Sequence, residues 1–168
     1  MDWTLFAIQW LHVLLGITWF GAAITGNLIL IPALTRLPLD RQREFGGSYG
    51  ERAQRVIPIA ASGVILLGIL RGTVFGQIKT LDDVTTTYGL TWLAALILAS
   101  ATFAWGKFMI EPGIQRMNAI PVEEAFGPDG KPSPAMDAAI GTLKRVSVLE
   151  LVGFLAVFTC MILMRFGY

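Results

Sequence analysis

The chain has little of the side chains with which proteins do most of their chemistry. Its 168 residues include one cysteine and one histidine, so no disulfide forms within a chain and no two histidines of one chain share a metal ion. Charged residues make up 15% of the chain, against about 25% in a typical soluble domain. We find no paired carboxylates and no nucleophile–base set, so the sequence offers little support for an enzyme with its own catalytic residues.

Apolar residues dominate instead. They make up 54% of the chain, and the mean hydropathy is +0.62. The charged residues cluster between four apolar runs, which we place at 5–34, 57–75, 88–109 and 146–166. Each run has the roughly 18 to 20 residues needed to cross about 30 Å of hydrocarbon. We therefore predict an all-α integral membrane protein, a single domain over 1–168 that forms a four-helix bundle.

The first run is expected to be a membrane span and not a signal peptide. It begins near Met1, has no basic residues before it, and is longer than the apolar core of a signal peptide, which has about 7–15 residues.

Basic residues near the ends of the runs predict the orientation. Five lie between the first two runs: Arg36, Arg41, Arg43, Arg52 and Arg55. Five more lie near the end of the third run or between it and the fourth: Lys107, Arg116, Lys131, Lys144 and Arg145. The connection between runs two and three has only Lys79. Because basic loops favour the cytoplasmic side, we expect a bacterial inner-membrane protein with both termini outside. The basic residues are interleaved with acidic ones, and we expect no nucleic-acid partner.

The two basic connections differ in composition. Residues 36–55 have the composition of short interfacial helices, with a break predicted at Gly46-Gly47. Residues 111–134 contain five prolines and predict a loose loop. Residues 135–145 have helical composition again and are expected to extend the fourth span. No internal repeat is evident in the sequence.

His12, the single histidine, lies in the outer half of the first run. An ionisable side chain within a span is costly and usually faces the bundle interior, and imidazole is a common ligand of haem iron. At helical spacing His12 shares a stripe with small and aromatic residues: Gly16, Trp19, Ala23 and Gly26. Such a stripe suits the close approach of a helix or a flat ligand. Gln9, one turn earlier, is placed to hydrogen-bond His12.

Glycines in the second run predict close packing. Gly68, Gly72 and Gly76 form two overlapping GxxxG units, which in membranes let a second helix approach closely. That helix belongs either to the same chain or to a second copy in a homodimer.

Other polar and sulfur-containing side chains lie at the depth of His12. Arg71, near the outer end of the second run, either snorkels to the interface or pairs with a ligand carboxylate such as a haem propionate. Trp92, near the outer end of the third run, completes the candidate cofactor-binding set with His12, Gly16, Trp19 and Arg71. Met161 and Met164 in the fourth run are either a second iron ligand or packing residues.

Three further side chains receive structural interpretations. Lys107 and Glu150 lie toward the cytoplasmic side, and we expect them to form an ion pair or to snorkel. Cys160 is expected to be a small buried apolar residue.

The pair Leu11-His12, followed by Trp19-Phe20-Gly21, resembles the first span of small bacterial haem-associated membrane families. These are the copper-resistance D family, the membrane domain of cytochrome-linked urate oxidases and the small membrane protoporphyrinogen oxidases. Residues 52–58 are similar to the basic stretch that enters their second span. The resemblance covers about the first three spans, and the H-x6-W pattern is its specific part. In the oxidase family the first-span histidine is associated with haem, which implies that role for His12.

The chain also departs from these families. The oxidases have a lysine early in the third span, whereas residues 89–94 of this chain contain none. A copper pathway would need several His, Met or Cys ligands, and the sequence has no tract rich in them.

Two classes of function remain. The first is a b-type haem protein with a redox, electron-transfer or haem- and gas-handling role, with haem held in the bundle through His12 and served by a redox partner. The second axial ligand is then Met161 or Met164, or is absent, or a dimer shares the haem. The second class is a cofactor-free transporter or an assembly subunit of a membrane complex, in which His12 is a buried hydrogen-bonded residue or part of a proton path.

Overall fold

The computed structural model describes residues 2–127 and 131–168, and within these ranges the protein is helical with no named strand. Four helical segments are long and apolar enough to cross a membrane: Trp3–Leu34, Arg41–Gly72, Thr87–Asn118 and Pro134–Arg165. The all-α class and the four apolar helices are therefore confirmed. Apolar side chains cover much of the outer surface of these helices, as a protein dissolved in lipid requires.

The first segment combines three helical pieces. Helix α1, Trp3–Thr25, begins at Asp2, whose carboxylate accepts hydrogen bonds from the backbone N–H groups of Thr4 (2.9 Å) and Leu5 (3.1 Å). A π-helical turn, Gly26–Leu30, then leads into the short helix α2, Ile31–Leu34. Pro32 lies at the start of α2, where its missing N–H disturbs the hydrogen-bond ladder least.

Helix α3 runs without interruption over Leu39–Gly72. The predicted break at Gly46-Gly47 is therefore wrong. A glycine inside a helix costs only about 1 kcal/mol relative to alanine, and tertiary contacts hold this end of α3 in place. The Arg43 guanidinium, for example, donates a hydrogen bond to the carbonyl of Ile120.

The end of α3 lies three residues earlier than the apolar run suggested. The helix ends at Gly72, and the Lys79 ammonium donates hydrogen bonds of 2.8 Å to the carbonyls of Thr73 and Val74. Gly76 therefore lies in the turn beyond the helix, not in a helical seam with Gly68 and Gly72. A Cβ at Gly76 would overlap the backbone of α3's last turn, so the turn itself requires glycine there.

A tight connection follows. The short helix α4, Leu81–Val84, begins with a capping box in which Asp83 accepts hydrogen bonds from the backbone N–H groups of Lys79 (2.8 Å) and Thr80 (2.7 Å). These hydrogen bonds, that from Lys79 first, lower the pKa of the Asp83 carboxyl. Helix α5, Thr87–Trp105, starts directly afterwards, capped by the Thr86 hydroxyl.

The predicted loose loop over 111–134 is wrong for the part of it that the structure describes. A π-helical turn, Gly106–Ile110, leads from α5 into helix α6, Glu111–Asn118, and a short helix α7, Val122–Ala125, follows. Pro112 and Pro134 each lie in the first turn of a helix, a position that proline favours. Helix α8 spans Pro134–Arg165, which confirms that the fourth span extends through 135–145.

The helices pack as two hairpins, α1 with α3 and α5 with α8. Their contact is an aromatic core around Trp19, whose ring centroid lies 4.8 Å from that of Phe154 and 6.2 Å from that of Phe103. Small residues of α3, Ala60 and Ala61, are fully covered beneath it. The N-terminus, the α3–α4 turn and the C-terminus all lie at the same end of the bundle, which we call the terminal end.

The two hairpins share a pattern that the sequence analysis missed. The π-helical turn Gly106–Ile110 repeats Gly26–Leu30 at a spacing of 80 residues. Each turn is the start of the same pattern, G-x5-P-x3-R, which reads Gly26, Pro32, Arg36 and then Gly106, Pro112, Arg116. The other positions differ in sequence, so only the shared backbone path makes the repeat visible.

Candidate functional site

A cavity of about 620 Å³ lies between the helices at the terminal end. This volume falls within the range of roughly 300–1,000 Å³ of small-molecule sites. Polar side chains line its mouth: Gln9, Arg71, Gln77, Tyr88 and Arg165. Small and aliphatic side chains line its depth: Val64, Ala95, Ala99 and Val157. The cavity is therefore amphipathic along its length.

His12 forms part of the cavity wall and is 8% exposed. Its Nδ1 atom is buried and has no hydrogen-bond partner among the described residues. A buried polar atom left unpaired costs about 1–3 kcal/mol, so it needs an explanation such as a missing ligand.

The expected hydrogen bond between Gln9 and His12 is not formed. The Gln9 side-chain oxygen accepts a hydrogen bond of 3.1 Å from Nε of Arg71 instead. A guanidinium has five N–H donors, so this contact fixes the direction of Arg71 and uses one of them. Arg71 is thereby held at the mouth of the cavity.

A second arginine lies at the same mouth. Arg165 is in the last turn of α8, as Arg71 is in the last turn of α3. Arg165 is not among the site residues predicted from the sequence, although a basic residue at the end of the fourth span, on the same side as Arg71, is the signal that identifies it. Two guanidiniums at the mouth favour an anionic group there.

The glycines of α3 accommodate side chains from two other helices. A Cβ at Gly68 would lie 3.2 Å from Cε1 of His12, and a Cβ at Gly72 would overlap the Trp92 indole. The indole Nε1 donates a hydrogen bond of 3.3 Å to the Gly68 carbonyl. The glycine face of α3 is therefore covered by side chains of the same chain. A homodimer through glycine-rich helix faces stays a prediction, and it would use surfaces other than this one.

The cavity unites most of the predicted site residues. His12, Arg71, Trp92, Met161 and Met164 all line it. Gly16 and Trp19 do not: Gly16 faces Val64 of α3, where a Cβ would meet Cγ2 at 3.9 Å, and Trp19 is 5% exposed in the aromatic core. The stripe on α1 runs deeper into the bundle than the cavity does, so its inner residues pack helices together.

The predicted ion pair between Lys107 and Glu150 is not formed. Lys107 pairs with Glu111 at 2.7 Å, one helical turn away in sequence. Glu150, partly buried on α8, lies against Gly106, where a Cβ would be 3.1 Å from Oε1. Lys107 lies in the π-helical turn Gly106–Ile110, next to the glycine that Glu150 contacts, but its ammonium pairs within its own segment. Cys160 is half-buried on the same helix.

We expect Glu150→Gln to leave the melting temperature in detergent equal to or higher than that of the wild type. A carboxylate in an apolar bundle loses hydration without a basic partner, and glutamine keeps its shape without the charge. Glu111→Gln, the matched control, removes the exposed pair with Lys107 and should change stability by less than about 1 kcal/mol. A drop of the Glu150→Gln melting temperature by 5 °C or more would show that the carboxylate holds a partner.

Within the described ranges, no three His, Cys, Asp or Glu side chains group to hold a metal ion. Comparison with known proteins gives no relative: no family model, no curated protein and no solved structure matches the chain.

Proposed function

We propose that the protein binds b-type haem in the cavity at the terminal end of the bundle, with His12 as an axial ligand of the iron. One observation carries the proposal: a single cavity brings together the only histidine, an apolar depth and two arginines at its mouth. The redox or gas-handling role of the first function class rests on this binding.

The chemical polarity of the cavity supports this choice of ligand. Haem is a flat apolar ring with two carboxylates on one edge. Ala95, Ala99 and Val157 offer small apolar surface in the depth of the cavity. Arg71 and Arg165 at the mouth offer charge-assisted hydrogen bonds to carboxylates, and water reaches the same end.

The environment of His12 supports the proposed ligand atom. Nδ1 is without a partner and lies beside Gly68, so binding iron requires the imidazole to turn in place. Met161 and Met164 line the same cavity and remain the candidates for a second iron ligand. The alternative is that the iron has no second protein ligand.

Haem, when bound, supplies one-electron redox chemistry or a binding place for a gas, depending on its ligands and surroundings. The chain's own part would be to hold it: the imidazole would bind the iron, the guanidiniums would orient the carboxylate edge, and the apolar residues would exclude water.

The proposal is tested by purifying the untagged protein from cells supplied with haem precursor. We expect a Soret band and close to one haem per chain by pyridine haemochrome assay. Titration of the haem-free protein with haemin should reach the same stoichiometry. A protein that stays colourless in both preparations would refute haem binding and favour the cofactor-free transporter or assembly subunit.

We further propose that the protein lies in a bacterial inner membrane with both termini outside, because the basic residues concentrate in the two longer connections. A periplasm-active reporter fused after Tyr168 should be active, and the same reporter fused after Pro121 should be inactive. The reverse pattern would invert the orientation and move the cavity mouth to the cytoplasmic side.

A further inference from the structure

His12 and Trp92 occupy corresponding positions of the two hairpins. The π-helical turns at Gly26 and Gly106 set the spacing of the repeat at 80 residues, and the same spacing relates His12 to Trp92. Each side chain lies 14 positions before the glycine that starts its π-helical turn. Each also lines the cavity.

Both side chains reach the same residue of α3. Cε1 of His12 lies 3.2 Å from the place of a Cβ at Gly68, and Nε1 of Trp92 lies 3.3 Å from the Gly68 carbonyl oxygen. The two rings therefore approach one point of the cavity wall from different helices.

The second helix of each hairpin contributes an arginine, although Arg71 and Arg165 are 94 positions apart and the 80-residue spacing does not relate them. Arg71 lies in the last turn of α3 and Arg165 in the last turn of α8, both at the cavity mouth. Each hairpin thus contributes one ring at depth and one guanidinium at the mouth. Only the rings differ in chemistry: an imidazole has a nitrogen that can ligate a metal, whereas an indole nitrogen only donates a hydrogen bond.

We infer that Trp92 determines the number of protein nitrogen ligands at this site, because it occupies in the second hairpin the position that the ligating histidine occupies in the first. This inference rests on the proposed function. It makes Trp92 a specificity-determining residue: the indole leaves the second half of the site without a ring nitrogen for iron, and a histidine at 92 would supply one.

The size of the two rings makes the exchange feasible. Imidazole corresponds to the five-membered part of indole, so Trp92→His keeps a ring of that size on the side chain and removes the benzene part. The indole now fills the space against Gly72, where not even a Cβ fits. Trp92→His therefore adds a nitrogen ligand and at the same time enlarges the cavity.

Five untagged proteins test the inference: the wild type, His12→Ala, Trp92→His, the double variant His12→Ala/Trp92→His, and Trp92→Phe as a matched aromatic control without a ring nitrogen that could ligate iron. With haem bound, Trp92→His should show the absorption and electron paramagnetic resonance spectra of a low-spin bis-histidine haem. The double variant should regain at least half of the haem content that His12→Ala loses. Trp92→Phe should keep the wild-type ligand spectrum.

A haem-free measurement separates this inference from the proposed function. Zinc alone should raise the melting temperature of Trp92→His by about 5 °C, because two imidazoles then face one cavity and bind zinc only in the folded state. Zinc should shift the wild type and Trp92→Phe by much less. If zinc stabilises Trp92→His but none of the proteins binds haem, the proposed function is refuted, whereas the pairing of positions 12 and 92 in one site stands. Wild-type haem binding with an unchanged spectrum in Trp92→His, no rescue in the double variant and no zinc shift would overturn the inference.

Discussion

Replacing His12 by alanine should lower the haem content of the purified protein at least tenfold. His12 is the only histidine of the chain, and its Nδ1 has no partner among the described residues, so no neighbouring imidazole can take over iron ligation. The bundle should still fold, because alanine removes a partly unsatisfied polar ring from an otherwise apolar site. Pyridine haemochrome assay and the Soret absorbance of variant and wild type, purified side by side, measure the effect.

The arginines at the cavity mouth provide a graded comparison. Arg71→Ala and Arg165→Ala should each weaken haem affinity by about three- to tenfold, since water at the mouth replaces part of a charge-assisted hydrogen bond that is worth about 1.5–3 kcal/mol. Met161→Leu and Met164→Leu should leave the spectrum unchanged unless one of them is the second ligand, in which case the bands of the reduced protein shift.

Free imidazole tests whether the loss in His12→Ala is a loss of the ligand itself. The alanine variant leaves a space of the size of the missing ring, and millimolar imidazole should restore part of the Soret absorbance. A His12→Ala protein that keeps its full haem content without imidazole would show that another side chain ligates the iron or that haem binds elsewhere.

Gly72→Ala should destabilise the bundle by about 1–3 kcal/mol, the usual cost of inserting an atom into a packed core. A Cβ at Gly72 would overlap the Trp92 indole, so the indole must leave its place and its hydrogen bond to the Gly68 carbonyl is lost. The free energy of unfolding in mixed detergent micelles measures the change. Gly72→Leu should be worse, with loss of the folded form at moderate temperature.

Gly21→Ala is the matched control for this effect. It also adds one methyl group to a helical glycine, but nothing lies within 4 Å of the added Cβ. The substitution should be neutral or stabilising, by up to about 1 kcal/mol, from helix propensity alone. Trp92→Ala should remove most of the penalty of Gly72→Ala in the double variant, because neighbouring sites are not additive. Equal effects of Gly72→Ala and Gly21→Ala would show that Trp92 does not occupy the place described.

Hydropathy alone determined the number and kind of the long helices. In a membrane every backbone polar group must be satisfied within the protein, so an apolar run of about 20 residues has almost no alternative to helix. The same argument made His12 and Arg71 conspicuous, since ionisable groups within spans are rare. Composition also predicted the helical extension over 135–145.

Only the tertiary structure decided which faces meet. Helical periodicity gives the face on which a side chain lies but not the neighbour that covers it. The sequence therefore did not predict that His12 packs against Gly68 and Trp92 against Gly72. Lys107 pairs with Glu111 in its own segment and not with Glu150 of α8. Gly46 and Gly47, where a helix break was predicted, remain helical. The free-energy cost of a glycine in a helix is small compared with the packing and hydrogen bonds that hold α3. The sequence therefore determined the long helices, because the solvent enforces them. The partners of each side chain depended on packing between distant segments, which local patterns do not encode.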